Sequence, residues 1–281
     1  MVNDPELVPR NALKGKRIAL SVSESDDLAR LGLYNVHLEL AVAELTRAIL
    51  IAGGTVVYGG RINWGFTNIV LDEAERYRSD AERYGAAAGA FEHYVPYTEH
   101  AGIADTDLLE YVGGLSVKAR VRFIDATGVA REVADISAAS FARGEVDSGQ
   151  ALTAMRKVTS DVSDARVVLG GKVVGFAGAF PGIAEEAALT ATLGKPLFIA
   201  GGFGGAATLV GRIAHPDLYE WLPAELPAGV TTEVEASVSD LLPSEFADDG
   251  LTSDDRALLA QTNRPADVAT LSILGLSKLS S

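Results

Sequence analysis

Three short stretches carry residues whose types and spacing suit chemistry. In the first, VVYGGRINWGFT at 56–67, an apolar run stops on Gly59-Gly60-Arg61 and resumes after Gly65. Glycine lets backbone amides approach a ligand with no Cβ in the way, and a guanidinium beside exposed N–H groups makes an anion site. Asn63, Gly65, Phe66 and Thr67 complete this loop, and Trp64 or Phe66 offers a face on which a base could stack. The second stretch is Met155-Arg156-Lys157 and the third is Pro181-Gly182-Ile183-Ala184-Glu185-Glu186. An arginine can hold a phosphate, and a carboxylate can steady an oxocarbenium-like ribose or position water. Each stretch also has a plainer reading. Glycines make tight turns, basic helix residues are usually solvated, and first-turn glutamates complement the helix dipole.

These residues need elements to place them. Strands are expected at 16–23, 55–58, 91–97, 117–125, 165–169 and 196–200, with helices at 35–52, 66–84, 147–162, 181–193 and 205–213. Strands separated by helix-length segments imply parallel βαβ units with right-handed crossovers, and so a doubly wound α/β sheet. In such a sheet ligands bind beyond the strands' carboxyl ends. Three glycine-bearing loops fall there: YGGRINWG, LGGKVVGFAGAFPG with Gly170 and Gly171, and GGFGGAA with Gly202, Phe203, Gly204 and Gly205. Phe66, Pro181 and Gly205 each begin an expected helix, whose unpaired N–H groups would face an anion. Ser21 and Ser23, ending the first strand, join the ligand contacts. The stretch 98–144 offers one strand, a polar connection and a short helix, with no detailed placement.

From His215 onward Pro216, Pro223, Pro227 and Pro243 punctuate an acidic segment, followed by a capped helix start at Ser253-Asp254-Asp255-Arg256. We expect a main domain at 1–213 and a C-terminal extension at 214–281. The extension is irregular and partly helical, with no core of its own, and packs on the domain or on a neighbouring subunit.

Composition narrows the function classes. The 281 residues are 48% hydrophobic and 22% charged, which fits an ordinary globular domain. A formal net charge of −14 opposes a nucleic-acid partner, while a small phosphorylated ligand needs only a few local cations. Without cysteine there is no disulfide, thiol catalysis or Cys-based metal site, and the four histidines form no HExxH pattern. No metal and no cofactor are expected. The N-terminal residues are too polar for a secretory signal, and the longest apolar run, 173–180, is far short of a membrane span. The reading is a cytoplasmic chain with no membrane partner.

Taken together, the three stretches resemble the SLOG superfamily, which includes the Lonely Guy phosphoribohydrolases and nucleotide-sensing domains. VVYGGRINWGF stands where those enzymes carry a YGGG segment, and Arg156-Lys157 where they carry a helical Arg-Lys pair. Ser163-Asp164-Ala165 leads into the next strand, and PGIAEE replaces PGGxGTxxE. The similarity spans about 16–213 and implies a modified Rossmann-like fold. By position it makes Arg156 and Glu186, with Glu185 beside it, the residues acting on a ribose–base bond. The chain departs from the pattern by an insertion of about eight residues and by the lost PGGxGT glycines and threonine, which grip phosphate. The resemblance therefore implies a sensor or signalling protein binding a nucleotide or an NAD- or ADP-ribose-derived molecule, as in SLOG proteins near antiviral signalling systems. Two alternatives stay open: a phosphoribohydrolase or N-glycosidase, and a scaffold with a vestigial site. Lonely Guy relatives form dimers or larger assemblies, so a homo-oligomer is expected, with the helix at 35–52 and the C-terminal extension as candidate interfaces.

Overall fold

The computed structural model describes residues 8, 11–62, 64–84, 91–115 and 119–279, with the side chains of 78–84 outside the description. Asn63 and the first two residues of the strand expected at 117–125 lie outside the described residues.

The chain opens with β1 (Arg17–Ser23), α1 (Asn35–Ile51), β2 (Thr55–Gly59), α2 (Phe66–Tyr84) and β3 (Phe91–Val95). It continues through α3 (Tyr97–His100), α4 (Asp105–Leu115), β4 (Arg120–Ile124) and β5 (Ala130–Glu132). Then come α5 (Ser148–Val162), β6 (Ala165–Gly170), α6 (Gly182–Thr192), β7 (Leu197–Ala200) and α7 (Gly205–Ala214). The C-terminal segment adds α8 (Thr232–Leu241), α9 (Ser253–Gln261) and α10 (Pro265–Lys278).

Among the described residues seven strands form one sheet in the order β5-β4-β3-β2-β1-β6-β7, parallel except for the antiparallel β4–β5 edge. The fold is thus a doubly wound, mostly parallel, Rossmann-like α/β architecture. Such strands are covered on both faces, which is why β1 and β6 read as apolar runs. Alternate side chains separate the two layers. Ile18, Leu20, Val56 and Val167 join a core that includes Leu38, Leu45 and Ile49 of α1. Ala19, Val57 and Tyr94 face Met155 of α5, and Val168 and Ile199 pack with Ile183 of α6 and Leu209 of α7. Helix α1 stops at Gly53, whose φ of +82° is the left-handed turn glycine permits.

Two details differ from the sequence expectation. Strand β3 ends at Val95 rather than at 97, because Pro96 has no N–H for the ladder and starts α3 instead. The stretch 98–144 holds α4 ahead of the expected strand, where the sequence reading placed no helix, β5 on the sheet edge, and only a 3-10 turn at Val133–Asp135 where a short helix was expected.

The C-terminal segment buries apolar residues in the main core. Val268, Leu271 and Leu276 of α10 share a cluster with α1, while Ala260 of α9 joins the β7 cluster. Among the described residues no helix is long and apolar enough to cross a membrane.

The chain runs outward from β1 through β2, β3 and β4, then returns through α5 to β6 on the other side of β1. That reversal opens a crevice at the carboxyl ends of β1 and β6.

Candidate functional site

The three glycine-bearing loops follow β2, β6 and β7, which are mutually parallel within one sheet, so all three lie at one rim. There the amides are largely engaged within the chain. Gly60 donates to the Tyr94 carbonyl at 3.1 Å and Gly171 to the Ser23 carbonyl at 2.9 Å. Gly204 donates to Gly201, and Ala206 to the carbonyl of Gly171. Gly205 takes a φ of +68° and donates to Asp27 Oδ2 at 2.7 Å. The other Asp27 oxygen accepts from Ala228 at 2.7 Å, so a buried carboxylate of this chain occupies the start of α7. Gly202 and Phe203 are buried as well, and a Cβ at Gly202 would meet the Gln261 carbonyl at 2.6 Å. The third loop thus seats the end of α9.

The first loop is similarly committed. Gly59 lies against Met155, whose Sδ would be 2.7 Å from a Cβ there. The Arg61 side chain is 65% exposed and sits 3.4 Å from Glu99. Thr67 is buried and donates to the Arg61 carbonyl at 2.9 Å, while Gly65 is exposed and Phe66 half-buried.

Arginines and glutamates meet deeper in the crevice. Asp147 caps α5 by accepting from Gly149 at 2.9 Å and Gln150 at 3.1 Å, and along the helix Met155 and Arg156 are buried while Lys157 is exposed. Pro181 leads into α6 without a side-chain cap, and Gly182 lets the helix start lie on the Arg156 guanidinium. A Cβ at Gly182 would stand 2.5 Å from Arg156 Nη2. Arg156 Nη1 bonds Glu185 Oε2, and Thr153 donates to the other Glu185 oxygen at 2.6 Å.

Glu186, one residue on, is placed differently. Its side chain is 10% exposed, its nearest cation is Arg166 Nη1 at 3.6 Å, and no described residue donates a hydrogen bond to it. Arg166 itself donates to Ser21, Thr159, Ser160 and Thr190. Ser21 is therefore a partner of that buried guanidinium, below the rim. Burial raises the Tyr58 hydroxyl's pKa, and the nearby Glu186 charge raises it further.

Beside this crevice lies an open groove of about 780 Å³, lined by Thr127 and Gly128 of the β4–β5 turn, Gln150, Thr153 and Lys157 of α5, and Gly178. Thr153 joins the two, since its residue lines the groove while its hydroxyl holds Glu185.

Under the first loop, His93 is fully buried. Nε2 lies 3.2 Å from the Gly60 carbonyl, and Nδ1 has no hydrogen-bond partner. Burial lowers its pKa to about 4, against a smaller raising effect of that carbonyl. The unfolded chain takes up the proton near pH 6.5, the folded chain only near 4, so stability falls as pH drops through that window and levels off below it. The expected loss is about 3 kcal/mol. Urea unfolding of wild type and His93→Phe at pH 7, 5.5 and 4 checks this, since the variant should lack that component of the slope.

Sequence reasoning missed Asp27, Thr153, His93 and Arg166. Only Arg166 carried a signal, as a lone charge in the apolar strand ARVVLG.

A parallel sheet whose connections reverse at β1, with paired arginines and glutamates behind its carboxyl rim, defines a Rossmann-like α/β protein with a crevice at the switch point. The profile of the family described as SLOG cluster2 matches residues 12–267, and the chain belongs to the SLOG superfamily. The match runs through α8 and α9 and into α10. Comparison with curated proteins returns no match. Membership of this superfamily points to a nucleotide-related function.

Proposed function

We propose that this chain binds a nucleotide-derived molecule, of the ADP-ribose or NAD type, in the crevice between β1 and β6, as a sensor or signalling protein. The observation that carries this reading is Glu186, a nine-tenths buried carboxylate to which no described residue donates. Its oxygens are not among the fully buried unpaired polar atoms, so solvent reaches them and they stay free to accept from a ligand. Ribose hydroxyls are suitable donors. The uncapped start of α6 lies one turn before Glu186 with the Arg156 guanidinium against it, and together they suit a phosphate. The adjoining groove of about 780 Å³ is within the usual range for ligand sites and suits the second half of a dinucleotide. Lys157 and Gly178 line it, and Gly170, Gly171, Pro181 and Gly182 join the proposed site from the end of β6 and the start of α6.

A second reading, a phosphoribohydrolase or N-glycosidase, draws on the same carboxylate, because an unbonded Glu186 could also steady an oxocarbenium-like ribose. Against it, Glu185 is committed to Arg156 and Thr153.

One experiment separates the two. Wild type and Glu186→Gln are melted with ADP-ribose, NAD and AMP, and free base is assayed in parallel. A binder gains about 5 °C at a hundredfold excess over Kd, loses that gain in Glu186→Gln, and releases no base. Base release abolished by Glu186→Gln would make it an enzyme, and neither signal would end both readings.

A further inference from the structure

We propose that Arg166 is a positioning residue, which holds Glu186 ready to accept hydrogen bonds from ribose hydroxyls and acts on binding through Glu186. This rests on the ligand reading above. Arg166 is 1% exposed near the start of an apolar strand. Its Nε donates to Thr190 at 2.7 Å, Nη1 to Ser21 at 2.6 Å, and Nη2 to Ser160 at 2.9 Å and Thr159 at 3.2 Å. Those hydroxyls come from β1, α5 and α6, so three elements lock the plane of the guanidinium.

The locked geometry leaves Nη1 at 3.6 Å from Glu186, near enough for charge attraction and too far for a hydrogen bond. Glu186 is thereby compensated without having its oxygens consumed. The neighbouring pair shows the contrast, since Arg156 bonds Glu185 directly and Thr153 takes its other oxygen. Stability alone gives little reason for such a residue, because apolar side chains of similar volume commonly replace buried ion pairs at no cost. Burial disfavours the Arg166 charge and Glu186 opposes that effect, which ties the two groups energetically.

The test is a double-mutant cycle on the full chain with Arg166→Met, Glu186→Gln and the double variant. Binding is read with ADP-ribose, and with AMP against 2′-deoxy-AMP as a hydroxyl control. Arg166→Met is expected to raise Kd for ADP-ribose about tenfold and to erase the preference for AMP over its deoxy form. In the Glu186→Gln background the same change should add little. Arg166→Lys should recover part of the affinity. The cycle is also read by urea unfolding without ligand, where Arg166→Met should cost more in wild type than in Glu186→Gln, since only the former strands a buried charge. Equal costs in both backgrounds, or additive losses of affinity, would overturn the proposal. If wild type binds none of the probes, the ligand reading falls, and the unfolding cycle alone decides whether Arg166 serves Glu186. Should Arg166→Met fail to fold, Arg166→Lys takes its place in the cycle with the same criteria.

Discussion

Asp27→Ala is expected to lower the free energy of unfolding by about 4 kcal/mol, a large share of the stability of a typical domain. The Asp27 carboxylate is 1% exposed and accepts from Gly205 and Ala228, both at 2.7 Å. Alanine would leave two N–H groups without an acceptor in a space too closed for bulk water to replace it. The loss also reaches beyond one contact, because the carboxylate joins the β1–α1 loop, the start of α7 and the segment ahead of α8. Asp27→Asn keeps one carbonyl oxygen and should cost about half as much. Urea unfolding with an unchanged m value checks both, and a loss below 1 kcal/mol for alanine would mean that the clamp contributes little.

Arg156→Met has an effect of similar size by a different route. Both side chains of the Arg156–Glu185 pair are 9% exposed, so removing the cation leaves a buried carboxylate held only by Thr153. Breaking such a pair costs about 4 kcal/mol, most of it from the stranded partner. The double variant Arg156→Met/Glu185→Leu should therefore recover most of the loss in an unfolding titration. If the double is as unstable as the single, the cost lies in the packing of Arg156 beneath Gly182 and not in the charge. Lys157→Met, one residue away on the exposed side of α5, should stay within about 0.5 kcal/mol of wild type. The contrast tests whether α5 turns Arg156 inward and Lys157 outward.

Much of the architecture was legible along the chain. The apolar runs of β1, β2, β6 and β7 and the glycines after them follow from local sequence, because parallel strands are buried on both faces and their turns need small residues. The stretch 98–144 was not legible. Helix α4 begins at Asp105 within a run containing Gly113 and Gly114, and β5 is three residues of edge strand whose pairing with β4 is non-local. At the site, the resemblance singled out Arg156, Glu185 and Glu186 together but gave no means of dividing their roles. Consecutive residues on a helix point about 100° apart, so only packing against α5 and β6 decides which carboxylate each arginine meets.

The glycine loops make the same point. Their order, spacing and place after strands were determined by sequence, since turns and strand ends are short-range properties. Where their amides point was a matter for the tertiary structure. Asp27 lies 178 residues from Gly205, and Thr262 and Gln261 come from the far end of the chain, yet these groups fill the space beside the third loop. A buried donor takes whichever acceptor the fold brings within reach, and no local pattern encodes that distance. Sequence alone thus indicated the parallel strands, their rim and the three loops placed there. The three-dimensional packing decided that Glu185 is spoken for, that Glu186 is not, and that Arg166 stands behind it.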